Sequence, residues 1–339
     1  MKKAKEILQE SIVVDAHLDL AYDLYRKRQR GIFGTLKDDY LPDLRSGYVN
    51  VIVSSVYVDE IKNVHDCVKA GMEQIGALLA EMRLCDAFLL CTSYQMVLDA
   101  IRAGKIAVIL SFEGAEAIGD NADLLYAYQR LGVRGLGLCW SRPNLAAEGA
   151  LYTTPEGLEE HGLTEYGKKL VSIAEDGNMF FDISHLNDPG IEMLFSLTDR
   201  MIIASHSACR SLNPTKRNIT DQQIRKLAAR GGVIGINGVS SIVADHKDEL
   251  TLSKMVDHMD HIMEVGGEDC LGLGFDFAGR IMENETIFVN QQEIPVLDIL
   301  GNYSGVLLLV EECLKRGYTE KQLKKILGGN FMRVFKQCL

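Results

Sequence analysis

Eight short apolar runs, each stopping at a polar or aromatic residue, constrain this chain's fold more than any other feature. They are residues 12–14, 49–56, 106–110, 133–138, 178–183, 201–204, 232–236 and 270–274. Amphipathic stretches of crossover-helix length separate most of them, at 64–84, 122–130, 165–176, 189–197, 220–229 and 252–265. Near-continuous apolar strands alternating with helices predict a parallel sheet covered on both faces. Eight such units predict a closed (β/α)8 TIM barrel, with an open doubly wound sheet as the runner-up. Without a Pro/Ser linker or a break in composition, residues 1–339 read as one domain. The residues beyond a minimal barrel fall in an irregular excursion at 22–48 and in loops at 141–163 and 277–304. A short extra strand is expected at Phe88–Cys91, a helix at 94–103, and closing helices at 305–316 and 319–327.

Barrel enzymes carry their chemistry at the carboxyl ends of the strands. That is where this sequence places its candidate ligands. His17 and Asp19 follow strand one, Glu113 strand three, His185 strand five and His206 strand six; Asp276 follows strand eight. Taken singly, His185 suits a helix entry and His206 a turn. A metal site explains all the placements together. Three histidines and two carboxylates exceed what one tetrahedral zinc needs. With Glu113 as a bridge they serve two divalent ions, His17 and Asp19 on one, His185 and His206 on the other. A hydroxide held between the ions would be the nucleophile. Asp276 would take its proton and pass it to a leaving amine.

Other motifs read as structural. His258 and His261, one turn apart beside Asp257 and Asp260, suit a solvated helix face. Gly272-Leu-Gly274 is followed by Phe-Asp-Phe instead of a helix start, which argues against a dinucleotide loop. The net charge of −11 argues against nucleic acid and anionic membrane as partners. No apolar run approaches the roughly 18 residues of a spanning helix. The amino terminus has no continuous h-region and the carboxyl end no hydrophobic tail, so a soluble protein is expected. Eight scattered cysteines without a C-x-x-C pair fit reduced, buried thiols and a cytoplasmic location.

These residues carry a family resemblance. Asp15-Ala-His17-Leu-Asp19, Phe112-Glu113-Gly114, Asp182-Ile-Ser184-His185 and Ser205-His206-Ser207 resemble the signatures of the membrane (renal) dipeptidase family of zinc peptidases, within the amidohydrolase superfamily. Lys216-Arg217-Asn218, Gly272-Leu-Gly-Phe-Asp276-Phe and Gly328-Gly-Asn330 extend the match to nearly the whole chain. The resemblance implies a binuclear zinc dipeptidase acting on free dipeptides, including those with a D-residue at the carboxyl position. It implies His17, Asp19, Glu113, His185 and His206 as ligands, Asp276 as acid/base, and Arg217 as clamp for the substrate carboxylate. Tyr57 matches a tyrosine near the substrate site. Relatives often pair, so a homodimer is an expectation by analogy.

Two positions depart from the pattern. Trp140 stands where mammalian relatives carry a substrate-contacting histidine, which implies altered carbonyl recognition, since an indole can only donate. Ala278 stands where many relatives have a second acid. An amidohydrolase acting on another small carboxylate-bearing amide, such as an N-acyl amino acid or a lactam, is the alternative. A retired scaffold serving only for binding is disfavoured by the intact ligand set.

Overall fold

Period-two alternation sets the layout of each barrel strand. In β2 (Val49–Tyr57) residues Val51, Val53, Ser55 and Tyr57 share one face. In β4 (Ile106–Glu113) so do Ala107, Ile109, Ser111 and Glu113. The apolar members of both rows join one buried cluster with Val14, Phe180 and Ile203. The rows turn polar toward their carboxyl ends, so a dry barrel interior is capped by a polar mouth. Phe331, Val334 and Phe335 of the last helix, Asn330–Cys338, pack into the same cluster and plug the opposite end.

The computed structural model describes residues 2–58, 63–152, 159–281, 286–289 and 292–339. Parts of the two expected loops, 153–158, 282–285 and 290–291, lie outside these. The barrel strands are β1 (Val13–Leu18), β2, β4, β5 (Val133–Gly137), β6 (Phe180–Asp182), β7 (Ile202–Ser207), β8 (Ile234–Ile236) and β9 (Leu271–Leu273). They pair in parallel in that order. The eight-stranded TIM barrel of the sequence reading is therefore the observed architecture. The short β3 (Phe88–Leu90) pairs with the first residues of β4, below the point where β5 joins at Leu110.

Among the described residues the ladder does not run from β9 back to β1. A side chain joins the two instead. The buried Asp15 carboxylate accepts the Phe275 N–H at 3.0 Å and the Tyr303 hydroxyl at 2.5 Å. At the barrel's other end, Asn330 donates to the Glu268 and Leu271 carbonyls at 2.8 and 2.7 Å. A Cβ at Gly328 would collide with the Ile12 carbonyl. The Gly-Gly-Asn segment thus seats the last helix under β1 and β9.

Two local expectations are corrected. Residues 22–48 are mostly helical, with helices at Leu20–Gln29 and Leu41–Ser46 and a π turn at Leu36–Tyr40. Their polar character reflects partners, not irregularity. The buried Glu81 accepts from Arg28 (2.7 Å) and from the backbone N–H groups of Gly34 and Leu36 (3.1 and 3.2 Å). His258 is fully buried, not on a solvated face. It accepts the Cys209 N–H at Nδ1 (3.0 Å), and its Nε2 lies 2.8 Å from the Val243 carbonyl. His261 pairs with Asp221 at 2.8 Å. A β-hairpin, Thr286–Val289 with Gln292–Pro295, stands inside the loop expected at 277–304. The eight cysteines are free and buried. No helix among the described residues is long and apolar enough to cross a membrane.

Candidate active site

The strand ends deliver their polar residues to one mouth. Glu113, the last residue of β4, is buried at its centre, and its two oxygens face different partners. Oε1 lies 2.9 Å from His185 Nε2 and 3.8 Å from His206 Nε2. Oε2 lies 3.4 Å from His17 Nε2. His17 Nε2 is in turn 3.8 Å from Asp19 and 3.7 Å from Asp276. His185 and His206 bring their Nε2 atoms to 2.8 Å from each other. All five predicted ligands and Asp276 thus converge. Gly114 permits the turn that ends β4. Its φ is +92°, and a Cβ there would meet the Glu116 carboxylate.

These donors fit divalent metal. Imidazole nitrogens and carboxylate oxygens are the ligand set of zinc and its first-row neighbours. His17 Nε2 and the Oε2 of Glu113 are buried without a hydrogen-bond partner, a costly arrangement that coordination would satisfy. His17–Glu113–His206 and His17–Asp19–Asp276 each bring their donor atoms within 4.8 Å of one another.

The protein's own groups shift each other accordingly. Burial, then Asp19, pushes Glu113 up to about 8. Burial, with Asp19 adding to it, pushes Asp276 up to about 6, although His17 pulls the other way. Burial alone would lower His17, but Glu113, Asp276 and Asp19 together hold it well above the ordinary imidazole value. His185 and His206 are held well below that value, mainly by burial and then by Arg217 and His17. Both therefore offer neutral nitrogens. Divalent ions among the carboxylates would reverse the upward shifts.

Hydroxyl groups fix the histidine rings. Ser141 Oγ lies 2.9 Å from His185 Nδ1, and Ser205 Oγ 2.7 Å from His206 Nδ1. Ser205 also donates to Asp182, whose carboxylate accepts the Ser184 and Ser205 N–H groups at 3.1 and 2.9 Å. With Nε2 turned to the cluster, Nδ1 carries the proton and donates to serine.

Asp276 follows β9 in the left-handed region, at φ +58°, which aspartate tolerates better than most residues. Asn237 donates to its Oδ2 at 3.0 Å. Arg217, on the loop after β7, is buried with Nη2 3.3 Å from His185 Nε2. Among the described residues its Nε and Nη1 find no well-aligned hydrogen-bond acceptor, and the Tyr152 side chain is the polar neighbour of the guanidinium. Among the described residues no carboxylate lies within 4.0 Å of it, whereas neighbouring Lys216 pairs with Glu160 at 2.6 Å.

A cavity of about 180 Å³ opens over the cluster, lined by Asp19, Glu113, His185 and Asp276 and walled by Tyr57 and Trp140. Trp140 stacks on His185 with ring centres 5.6 Å apart, and Tyr57 lies 5.7 Å from Trp140. Both predicted aromatic residues therefore reach the site, and Ala278 lies on its wall. Sequence reasoning missed Tyr22, Arg26 and Tyr152, which also line the cavity. None stands at a strand end, and only Tyr22 and Arg26 carry a signal, being one turn apart on the helix that starts after Asp19. Glu116 is not a ligand; it is buried 3.5 Å from Arg142.

The sequence and the fold have known counterparts. A family model described as membrane dipeptidase (peptidase family M19) matches residues 1–338. Dipeptidase 3 of Mus musculus is 28% identical across 99% of this chain, which spans about two thirds (66%) of that relative's length. A metallopeptidase from Rhodobacter sphaeroides, solved with a phosphinate mimic of L-Ala-D-Ala, superposes with a TM-score of 0.85 at 24% identity, over 97% of this chain and 100% of its own. A metallopeptidase described as dipeptidase AC superposes with a TM-score of 0.84, also at 24% identity, over 97% and 99%.

Proposed function

The chain belongs to the membrane dipeptidase family, peptidase family M19, and on that premise we propose that it hydrolyses the peptide bond of free dipeptides with two zinc ions. It is a metal-dependent hydrolase. His17 and Asp19 would hold one ion and His185 and His206 the other, with the Glu113 carboxylate available to both. The division of Glu113's oxygens between His17 and the other two histidines supports this assignment. When bound, such ions polarise a carbonyl and bring water to a pKa of about 7.

The observation that carries the substrate class is the buried, open guanidinium of Arg217 beside His185. Leaving such a charge unpaired is costly. A carboxylate satisfies its fork with two parallel bonds. A free dipeptide presents that carboxylate one residue beyond the scissile bond; a longer chain presents an amide there. Asp276 faces the cluster from β9 and serves as the proton acceptor for the attacking water and donor to the leaving amine. Asn237 holds its carboxylate in place. Trp140 and Tyr57 shape the wall against which the substrate lies. The ligand in the Rhodobacter sphaeroides structure mimics a dipeptide whose carboxyl-terminal residue is D-alanine, and the proposal includes such substrates.

The test is a panel of L,L and L,D dipeptides beside N-acyl amino acids, assayed with zinc-loaded protein. Dipeptide turnover, lost in Asp276→Asn while bound zinc is retained, is expected. Deacylation without dipeptide turnover would make the protein an amidohydrolase of the alternative kind.

A further inference from the structure

Three consecutive cations lie near the end of the helix Leu20–Gln29, and two are matched. Lys27 Nζ lies 2.9 Å from Asp23 and 3.5 Å from Asp39. Arg28 lies 2.7 Å from the buried Glu81. Arg26 differs. Among the described residues no carboxylate lies within 4.0 Å of its guanidinium, although it is half-buried.

Its position is held by aromatic contacts instead. Tyr22 and Arg26, four residues apart, share a helix face. The guanidinium lies 5.4 Å from the Tyr22 ring centre, with Nη1 3.5 Å from the Tyr22 hydroxyl oxygen. The Tyr22 ring meets Tyr57 edge-on at 5.3 Å. Arg26 therefore lines the cavity that contains Asp19, Glu113 and Asp276. A second cavity of about 440 Å³ shares Tyr22, Arg26 and Tyr57 with the first and continues outward past Gln29 and Lys69. The guanidinium stands at the junction, with room beside it.

Arg217 and Arg26 stand on opposite sides of the strand ring, Arg217 buried against His185 and Arg26 on the cavity wall. Arg217 comes from beyond β7, against His185 on β6's end. Arg26 comes from the helix after β1, beside β2. In an eight-strand ring these are the fifth and sixth positions against the first and second. A dipeptide with its carboxylate on Arg217 and its scissile bond at Glu113 points its amino-terminal residue toward Tyr22 and Arg26.

We propose that Arg26 forms a subsite for a carboxylate side chain on the substrate's amino-terminal residue, so that dipeptides beginning with Asp or Glu are preferred. This rests on the dipeptidase reading and adds to it the identity of one substrate residue. Among the described residues the nearest competitors are the carboxylates that line the two cavities, such as Asp66 and Glu73 of the outer one, and none lies within 4.0 Å of the Arg26 guanidinium.

The test compares kcat/KM within each zinc-loaded enzyme for Glu-Ala against its neutral isostere Gln-Ala, and for Ala-Glu against Ala-Gln. Ratios within one enzyme are independent of how much of a variant is folded. The native protein should favour Glu-Ala over Gln-Ala by roughly two- to fivefold, the scale of a partly exposed charge pair. Arg26→Gln should bring that ratio to about one, and Arg26→Glu should invert it and favour Lys-Ala. The Ala-Glu to Ala-Gln ratio should be the same in the native and Arg26→Gln enzymes. A native Glu-Ala to Gln-Ala ratio at or below one, or a ratio that Arg26→Gln does not move, overturns the subsite. An equal change in the Ala-Glu pair overturns its placement at the amino-terminal residue. Failure to hydrolyse any dipeptide, Gln-Ala and Ala-Gln included, is a different result and overturns the dipeptidase reading with it.

Discussion

The Ser205 hydroxyl lies 2.7 Å from His206 Nδ1 and turns its own proton to the Asp182 carboxylate. The ring is thereby held with Nε2 toward Glu113 and with its proton on Nδ1, the tautomer a metal ligand needs. Such outer contacts commonly change metal affinity by about 10- to 100-fold. Ser205→Ala removes the acceptor for Nδ1–H without touching any ligand. Zinc affinity, measured by competition with a chromophoric chelator, should fall by about that factor. Turnover at saturating zinc should fall much less. Unchanged affinity would mean that packing alone fixes the ring.

Arg217 should be felt mainly in substrate binding. Charged hydrogen bonds are each worth about 1.5–3 kcal/mol. Arg217→Ala should therefore raise KM for Ala-Ala by about 100-fold or more, with a smaller change in kcat. Arg217→Lys keeps the charge but loses the fork, and should recover only part of the loss. The native enzyme should discriminate strongly against Ala-Ala amide, and Arg217→Ala should not. If the amide is hydrolysed as well as the acid by the native enzyme, another group governs recognition.

The barrel and the cluster of polar strand ends were legible because both depend on short-range pattern. A strand's apolar run and the polar residue that ends it are adjacent in sequence, so the topology alone brings His17, Glu113, His185 and His206 together. The helices between 20 and 46 were not legible, because their polar residues find partners far away, as Arg28 does in Glu81 across 53 positions. His258 was misread for the same reason: its acceptor and donor, Val243 and Cys209, lie 15 and 49 residues off. Tyr152 enters the cavity from a loop, where no period marks the inward face, and the Tyr22–Arg26 spacing becomes a signal only once residues 20–29 are read as a helix.

The Asp15 seam should show in stability. Tyr303 is buried, and its hydroxyl donates to Asp15 Oδ2. Tyr303→Phe leaves that carboxylate oxygen buried without its donor, which costs about 1–3 kcal/mol. Denaturant unfolding of metal-loaded protein should show a loss of this size. No loss would mean that the Tyr303 hydroxyl adds nothing to the junction beyond the Phe275 N–H bond and packing.

His258 makes stability depend on pH from the acid side. Burial holds its imidazole down to about 4, against an ordinary 6.5, even though the Val243 carbonyl favours the charged form. Protonation would set an Nδ1–H against the Cys209 N–H that Nδ1 now accepts. Above pH 6.5 the residue is neutral folded or unfolded and contributes no slope. Between 6.5 and about 4 the unfolded chain binds the proton and the native state does not, so stability falls with pH; below about 4 the loss levels off. At pH 5 the contribution is about 2 kcal/mol. His258→Gln can supply an acceptor and a donor but has no titration. It should be less stable than the native protein at pH 7.5, and the gap should narrow by about 2 kcal/mol at pH 5. Denaturant midpoints at the two pH values measure this, and a gap that stays constant would mean that His258 does not titrate in this range.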